Sequence, residues 1–242
     1  MANQNKVPDA FFDHFSREDK PTKMGIWLVK ALSRKIFRYA EAASGDSILE
    51  IGPGRGIFAD ICLKEGIEYF AIEPNRQMAA SLEERGASVI CAMVPPLPAV
   101  DKKFDVVVMI NVMEHTNSMQ DALQAAQQIR GVLKPKGKLV VCSPDYLNWR
   151  LNFFNCDFSH NYVTTRRRLN QLLINAGFED IKSCYLSGPL TGFICFLVSA
   201  IVSRLPFGLF NALFPDNKVF YKLYKIQLTF SRRVLILGEK PG

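Results

Sequence analysis

Residues 47–56 read Ser-Ile-Leu-Glu-Ile-Gly-Pro-Gly-Arg-Gly, and this stretch decides the fold. Ser47–Ile51 is a short apolar run of strand length, closed by a turn signal. Gly52, Gly54 and Gly56 then alternate, and an amphipathic stretch runs on to about Lys64. The pattern is a buried strand, a sharp turn and a helix. Glycine in such a turn lets the backbone approach a ligand with no Cβ in the way. The helix start adds N–H groups that lack intrahelical partners. A dinucleotide pyrophosphate site requires G-x-G-x-x-G, but here the third glycine comes one residue early and Ile57 stands in its place. Glu50 also lies where the two phosphates would pass, and it suits a ligand carrying positive charge. Glu73 closes the next strand, 21 residues after Gly52, where an acid can accept both hydroxyls of a ribose. An adenosine with a cationic tail satisfies both acids.

Outward from this turn, short apolar runs alternate with longer amphipathic ones. Strands are predicted at Glu68–Ile72, 87–91, Phe104–Ile110 and 138–142, with two more at 181–186 and 231–237. Helices are predicted over 74–85, with Pro74 in its first turn, and over 119–133, ended by Lys134-Pro135-Lys136-Gly137. A further helix fits 164–176, capped by Thr164 or Thr165 and stopped by Gly177. Such alternation implies an α/β fold: a doubly wound, mostly parallel, seven-stranded Rossmann-like sheet with its ligand at the carboxyl ends of the first strands. Two segments fall outside the scheme. Residues 1–45 form an N-terminal segment with a helix expected over 22–42. The domain proper is 46–242, carrying an apolar and basic insertion at 187–228 before the last strand.

The arrangement resembles the class I, seven-strand S-adenosylmethionine-dependent methyltransferases. The resemblance rests on LEIGPGRG (49–56), AIEP (71–74), FDVVVMINVMEH (104–115) and LKPKGKLVVCSP (133–144). It implies that Glu50, Gly52, Gly54 and Gly56 hold the methionine end of S-adenosylmethionine, and that Glu73, followed by Pro74, holds its ribose. Asn111 and Val112 would line the methionine side, and Ala92 and Met93 would flank the adenine. Many relatives carry an acid near Ala92, so adenine recognition here would fall to backbone or apolar packing. Relatives that methylate base amino groups place Asn/Asp-Pro-Pro-aromatic after the fourth strand. The Glu114-His115 ending seen here instead resembles the small-molecule and lipid-quinone branch.

Methyl transfer from a sulfonium is an in-line displacement, accelerated mainly by positioning. A hydroxyl acceptor gains further from a general base. His14 lies in the segment FFDHF, His115 follows the fourth strand at the pocket mouth, and His160 lies in Asp157-Phe158-Ser159-His160-Asn161-Tyr162. His160 is the favoured base or acceptor-orienting group, with His115 as rival and Tyr162 as neighbour. No metal is expected: the six cysteines form no C-x-x-C pair. Arg166-Arg167-Arg168 occupy a helix's first turn, where cations oppose the macrodipole. They read either as a solvated face or as a phosphate contact.

The 242 residues are 48% apolar and 22% charged, which excludes disorder and a multi-span membrane protein. The formal charge of +7 is uneven: residues 151–242 hold 11 basic and 5 acidic side chains. In the insertion, Leu190 to Ser203 is uncharged and mostly apolar, too short to span a bilayer alone. Leu205-Pro206-Phe207-Gly208 breaks it into two short helices. Lys218, Lys222 and Lys225 follow, interleaved with Phe220, Tyr221 and Tyr224. Apolar anchors beside lysines and tyrosines suit an interfacial membrane segment or, failing that, a buried cap or dimer interface. The polar N-terminus and unpaired cysteines suggest a cytoplasmic protein, peripheral on the inner membrane face. The expected function is methyl transfer to a small-molecule or lipid-linked acceptor, a hydroxyl first. The alternatives are an RNA methyltransferase using the basic C-terminal face, or a noncatalytic cofactor-binding partner subunit.

Overall fold

The computed structural model describes residues 22–242; His14 lies outside the described residues. In chain order the elements are α1 (Lys23–Ala40), β1 (Ser47–Ile51), α2 (Ile57–Lys64), β2 (Glu68–Ile72), α3 (Arg76–Glu83), β3 (Ser88–Ile90) and β4 (Phe104–Ile110). Then come α4 (Met119–Val132), β5 (Leu133–Pro144), α5 (Tyr146–Trp149), α6 (Asn152–Asn155), α7 (Arg166–Asn175) and β6 (Glu179–Ser187). The insertion contributes α8 (Gly192–Val202), α9 (Phe207–Leu213) and α10 (Lys218–Phe230) before β7 (Arg232–Glu239).

The seven strands form one sheet in the order β3-β2-β1-β4-β5-β7-β6. Neighbours through β5 pair in parallel, and β7 runs antiparallel between β5 and β6. Because side chains alternate across a strand, each face of the sheet receives its own core. On one face Leu49, Ile51, Val107 and Met109 pack with Ala122, Ala126 and Ile129 of α4 and Leu169 and Leu173 of α7. On the other, Ile48, Val106 and Val108 pack with Phe58 and Cys62 of α2 and with Leu32, Ile36 and Ala40 of α1. The N-terminal helix therefore shares the core of the sheet. Completely buried side chains such as Phe104 and Ile36 contribute about 1.5–3 kcal/mol each.

Several element boundaries shift by a residue or more from the sequence expectation, and two of the shifts have a local cause. Pro74 precedes the second helix instead of opening it, because the Asn75 side chain caps α3 by accepting from the Met78 amide. The Lys134–Gly137 stretch does not end a helix in coil. β5 begins at Leu133, which pairs with Phe104 across a register shift. Gly137 permits this approach: a Cβ there would stand 2.9 Å from the Lys134 carbonyl and 3.0 Å from that of Phe104. The predicted break in the insertion stands, with α8 and α9 separated at residues 203–206.

Candidate active site

The parallel strands end together on one edge, and the glycine turn sits there. The Gly52 amide donates to the Ile72 carbonyl (2.8 Å) and the Glu73 amide to that of Ile90 (3.0 Å), joining the ends of β1, β2 and β3. The three glycines all have positive φ (67°, 54° and 70°) but serve different ends. A Cβ on Gly52 would stand 2.6 Å from Val112 Cγ2, and one on Gly56 2.5 Å from Leu82 Cδ2, so those two are needed for packing. A Cβ on Gly54 would meet nothing within 4 Å. Gly54 borders open space, and its missing side chain keeps that space available to a ligand.

Two buried acids stand at the ends of β1 and β2 beside this turn. Glu50 is 2% exposed and its Oε2 accepts from Tyr69 Oη at 2.5 Å. Burial pushes its carboxyl up to about 8; the Tyr69 hydrogen bond opposes this and the Glu73 charge adds to it. Glu73 is also buried, and its carboxylate bridges two amides, Gly54 N and Asn75 N, each at 2.9 Å. Burial raises its pKa against those same two bonds. Neither acid has an ion-pair partner among the described residues. A cationic ligand supplies what Glu50 lacks. Glu73 keeps lone pairs for ribose hydroxyls while holding the turn closed. The donor set thus fits an adenosine sulfonium. Pro74 is half-buried just beyond Glu73, Ala92 packs partly buried against the core beyond β3, and Met93 beside it is 37% exposed. Asn111 leaves β4 with φ 53°, its amide donating to the Cys142 carbonyl, and Val112 packs over Gly52.

Immediately beyond Val112, a 3₁₀ turn spans Met113–His115. The Glu114 carbonyl accepts from the amides of both Asn161 and Tyr162 (3.0 Å each), which docks the 157–162 loop on this turn. His115 and His160 are thereby brought together, with ring centroids 4.8 Å apart at 68°. His160 Nδ1 lies 2.6 Å from the Phe153 carbonyl, which can only accept, so Nδ1 carries the proton and Nε2 the lone pair. Burial lowers the His160 pKa. His115 Nδ1 lies 2.7 Å from Ser159 Oγ, whose own proton goes to Asp157 Oδ1 at 2.6 Å. Tyr162, by contrast, is 4% exposed with its ring in the core beside Met113 and Leu169, under the Arg168 guanidinium.

Sequence reasoning reads Glu114 only as part of a motif and gives it no role in the site. It is completely buried, Oε2 accepts from Ser143 Oγ at 2.9 Å, and Oε1 has no hydrogen-bond partner. Burial pushes its carboxyl up to about 7. Arg233 is near enough to oppose that shift, yet its Nη1 and Nη2 donate to the carbonyls of Thr229 and Leu228. Tyr69, Ser143 and Ser159 were likewise unremarked, each a strand or loop residue whose role depends on a distant partner. Arg166 and Arg167 line a separate cleft of about 430 Å³ between α7 and β6, with Arg166 Nε donating to Ser183 Oγ at 2.8 Å.

Comparison with known proteins bears on this geometry. A family model described as a methyltransferase domain matches residues 24–183. An uncharacterized protein of Methanocaldococcus jannaschii is 33% identical over 138 residues, covering 54% of this chain and 58% of that protein. An uncharacterized methyltransferase of Mycolicibacterium vanbaalenii is 35% identical over 79 residues, 31% of each chain. The chain thus spans under two thirds of these relatives' length. Among solved structures, a SAM-dependent methyltransferase of Archaeoglobus fulgidus superposes with TM-score 0.60 at 20% identity, covering 96% of this chain and 98% of that one. Phosphoethanolamine N-methyltransferase 2 of Haemonchus contortus, solved with S-adenosyl-L-methionine, gives 0.65 at 15% identity over 96% and 60%. With the matched family covering both the glycine turn and the strand ends around it, the chain belongs to the methyltransferase-domain family, on the class I, seven-strand Rossmann-like fold of the S-adenosylmethionine-dependent methyltransferases it superposes on.

Proposed function

We propose that this methyltransferase acts on a lipid-linked or small amphiphilic acceptor, through a hydroxyl group, at the cytoplasmic face of a membrane that the insertion contacts. The observation that carries the reading is the surface of α8 and α9. Within the 22 residues from Gly192 to Leu213, an 18-residue window has a mean hydropathy of 2.0, yet only 17% of that window is buried. Phe193 is 80% exposed, Leu213 61% and Leu209 59%. Monomeric soluble proteins rarely expose so much contiguous apolar surface without a partner. Arg204, Lys218 and Lys222 are exposed in the same insertion, which suits a partner of negative charge.

The acceptor is argued from the neighbouring segment. Leu147, Leu151, Phe154 and Phe158 are exposed apolar residues on the stretch that leads into His160. A hydroxyl on an apolar molecule would reach His115 and His160 along it. As the oxygen attacks the methyl carbon, the C–O bond forms, the S–C bond breaks with its electrons staying on sulfur, and the hydroxyl proton passes to the lone pair on His160 Nε2. Positioning supplies on the order of 7–11 kcal/mol in favourable models, and assistance to the departing proton a further ~10²–10⁴-fold. The basic C-terminal segment favours anionic lipid over RNA because its lysines adjoin exposed aliphatic as well as aromatic side chains, such as Leu197, Ile201, Leu209 and Leu213, which a membrane interface accepts and base stacking does not use.

Flotation with phosphatidylglycerol vesicles tests this reading. The wild-type chain should float, less so in high salt, and not with phosphatidylcholine alone. L209E combined with L213E changes only exposed side chains and should abolish flotation while leaving the melting temperature unchanged. Equal flotation of both proteins, or none by the wild type, overturns it.

A further inference from the structure

We infer that Glu114, His115 and His160 form a binding site for one divalent transition-metal ion of the zinc class. One ligand atom from each residue lies within 4.8 Å of the other two. Three ligands bound at 2.0–2.2 Å in a tetrahedral arrangement stand about 3.4 Å apart, so closure needs side-chain shifts of up to about 1 Å. Two features independent of that spacing point the same way. Glu114 is completely buried and its Oε1 has no partner, a costly arrangement for a carboxyl. A bound cation would satisfy it.

The second feature is the setting of the imidazoles. A ligating histidine uses one ring nitrogen and fixes the other to a carbonyl, carboxylate or hydroxyl that sets its tautomer. Both rings have that support: His160 Nδ1 on the Phe153 carbonyl at 2.6 Å, and His115 Nδ1 on Ser159 Oγ, itself bonded to Asp157. Nε2 is then the donor atom of each ring. Glu114 is oriented in the same way by Ser143 at 2.9 Å. Three protein ligands leave a coordination position open, the pattern of catalytic rather than structural sites. Two imidazoles and a carboxylate suit zinc, iron or manganese better than calcium or magnesium.

Its catalytic consequence rests on the hydroxyl-acceptor reading above; the binding itself does not. An acceptor oxygen on the open position would be held beside Asn111 and Val112, where β4 meets the cofactor turn. With both Nε2 atoms on the ion, the acceptor's proton would pass to solvent water, more readily because a metal ion lowers the pKa of a bound oxygen acid.

The test is metal binding by the full chain after chelation and dialysis. Titration with Co²⁺ should develop visible d–d bands of a low-symmetry nitrogen and oxygen site, displaced by one equivalent of Zn²⁺. Calorimetry with Zn²⁺ should show one site, weakened at least tenfold in H115N, H160N and E114Q. S159A, which keeps all three ligands, should weaken it about 10-fold, within the range seen for outer-shell changes. Cobalt spectra of the wild type read the site even if a ligand variant fails to fold. Absence of Co²⁺ bands, or a Zn²⁺ affinity unchanged in folded H160N and E114Q, overturns the inference. Lost metal binding with unchanged turnover would remove only the catalytic consequence, and failure of vesicle flotation would not touch the metal site.

Discussion

Glu50→Gln should make the cofactor-free protein more stable, and increasingly so as pH rises. The carboxyl's pKa stands at about 8 in the folded chain against an ordinary value of 4.5. The folded state therefore holds a proton that the unfolded state gives up between those values. By linkage, stability falls as pH rises through that window: the penalty is absent below the unfolded pKa and complete above the folded one. At about 1.4 kcal/mol per pH unit, this side chain costs up to about 1 kcal/mol at pH 5, 3 kcal/mol at pH 7 and 5 kcal/mol above pH 8. Glutamine keeps the volume and an acceptor for Tyr69 Oη but cannot ionise. Urea unfolding of both proteins at pH 5, 7 and 9 should show a gap that opens with pH. The variant should melt about 6–12 °C higher at pH 7.

Cofactor binding should show the converse. A sulfonium beside Glu50 restores the ionised form, so calorimetry in buffers of different ionisation enthalpy should find up to about one proton released per cofactor at pH 7. Glu50→Gln should release none and bind more weakly. A stability gap that stays flat from pH 5 to pH 9 would refute the reasoning, because only a titrating Glu50 makes it depend on pH.

Two further perturbations test how the site is held. Glu73→Ala removes the acceptor shared by the Gly54 and Asn75 amides and any ribose contact, so S-adenosylmethionine affinity by calorimetry should fall at least about 10-fold; unchanged affinity would remove Glu73 from the cofactor site. Gly208→Ala places a Cβ 2.3 Å from Asn152 Oδ1 and 3.2 Å from Tyr224 Cε2. Overpacking of this kind costs about 1–3 kcal/mol. Hydrogen exchange should rise in residues 188–231 and in α6 while β1 and β4 stay protected.

The site was legible where one residue's position carries its meaning. Glu50 and Glu73 are read from strand ends, and the glycine spacing alone separates this turn from a dinucleotide site. Their working state was not legible. Glu73 spends its carboxylate on two amides as well as facing the ligand space, and the raised pKa of Glu50 comes from burial beside Tyr69. His115 and His160 could each be named, but not their meeting, which hangs on two amides bonded to the Glu114 carbonyl. Glu114 reads as a motif letter without a role because a glutamate is ordinarily exposed, and nothing in NVMEH marks this one as completely buried. The helix stop expected at Lys134–Gly137 failed for a similar reason. Lysine, proline and glycine signal a break in isolation, but pairing of Leu133 with Phe104 recruits them into β5.

The short helices α5 and α6 make the insertion and the histidine pair parts of one assembly. Asn148 Nδ2 donates to the Ser199 carbonyl of α8, and Asn155 Nδ2 to Tyr224 Oη of α10. Between them, Asn152 abuts Gly208 of α9, and Phe153 supplies the carbonyl that fixes His160. A force on the apolar helices therefore reaches His160 through Phe153 and through Cys156, whose Sγ lies 3.8 Å from His160 Nδ1 beside the Asn155 anchor. An acceptor arriving from bulk water would need no such connection, since its binding energy is spent where it lands. For an acceptor delivered along an apolar surface, the connection lets docking and alignment of the reacting oxygen share the same contacts. On the membrane reading proposed above, the basic excess of residues 151–242 accompanies the apolar helices because the charge would hold the insertion at an anionic surface, and α5 and α6 would carry that placement to the site.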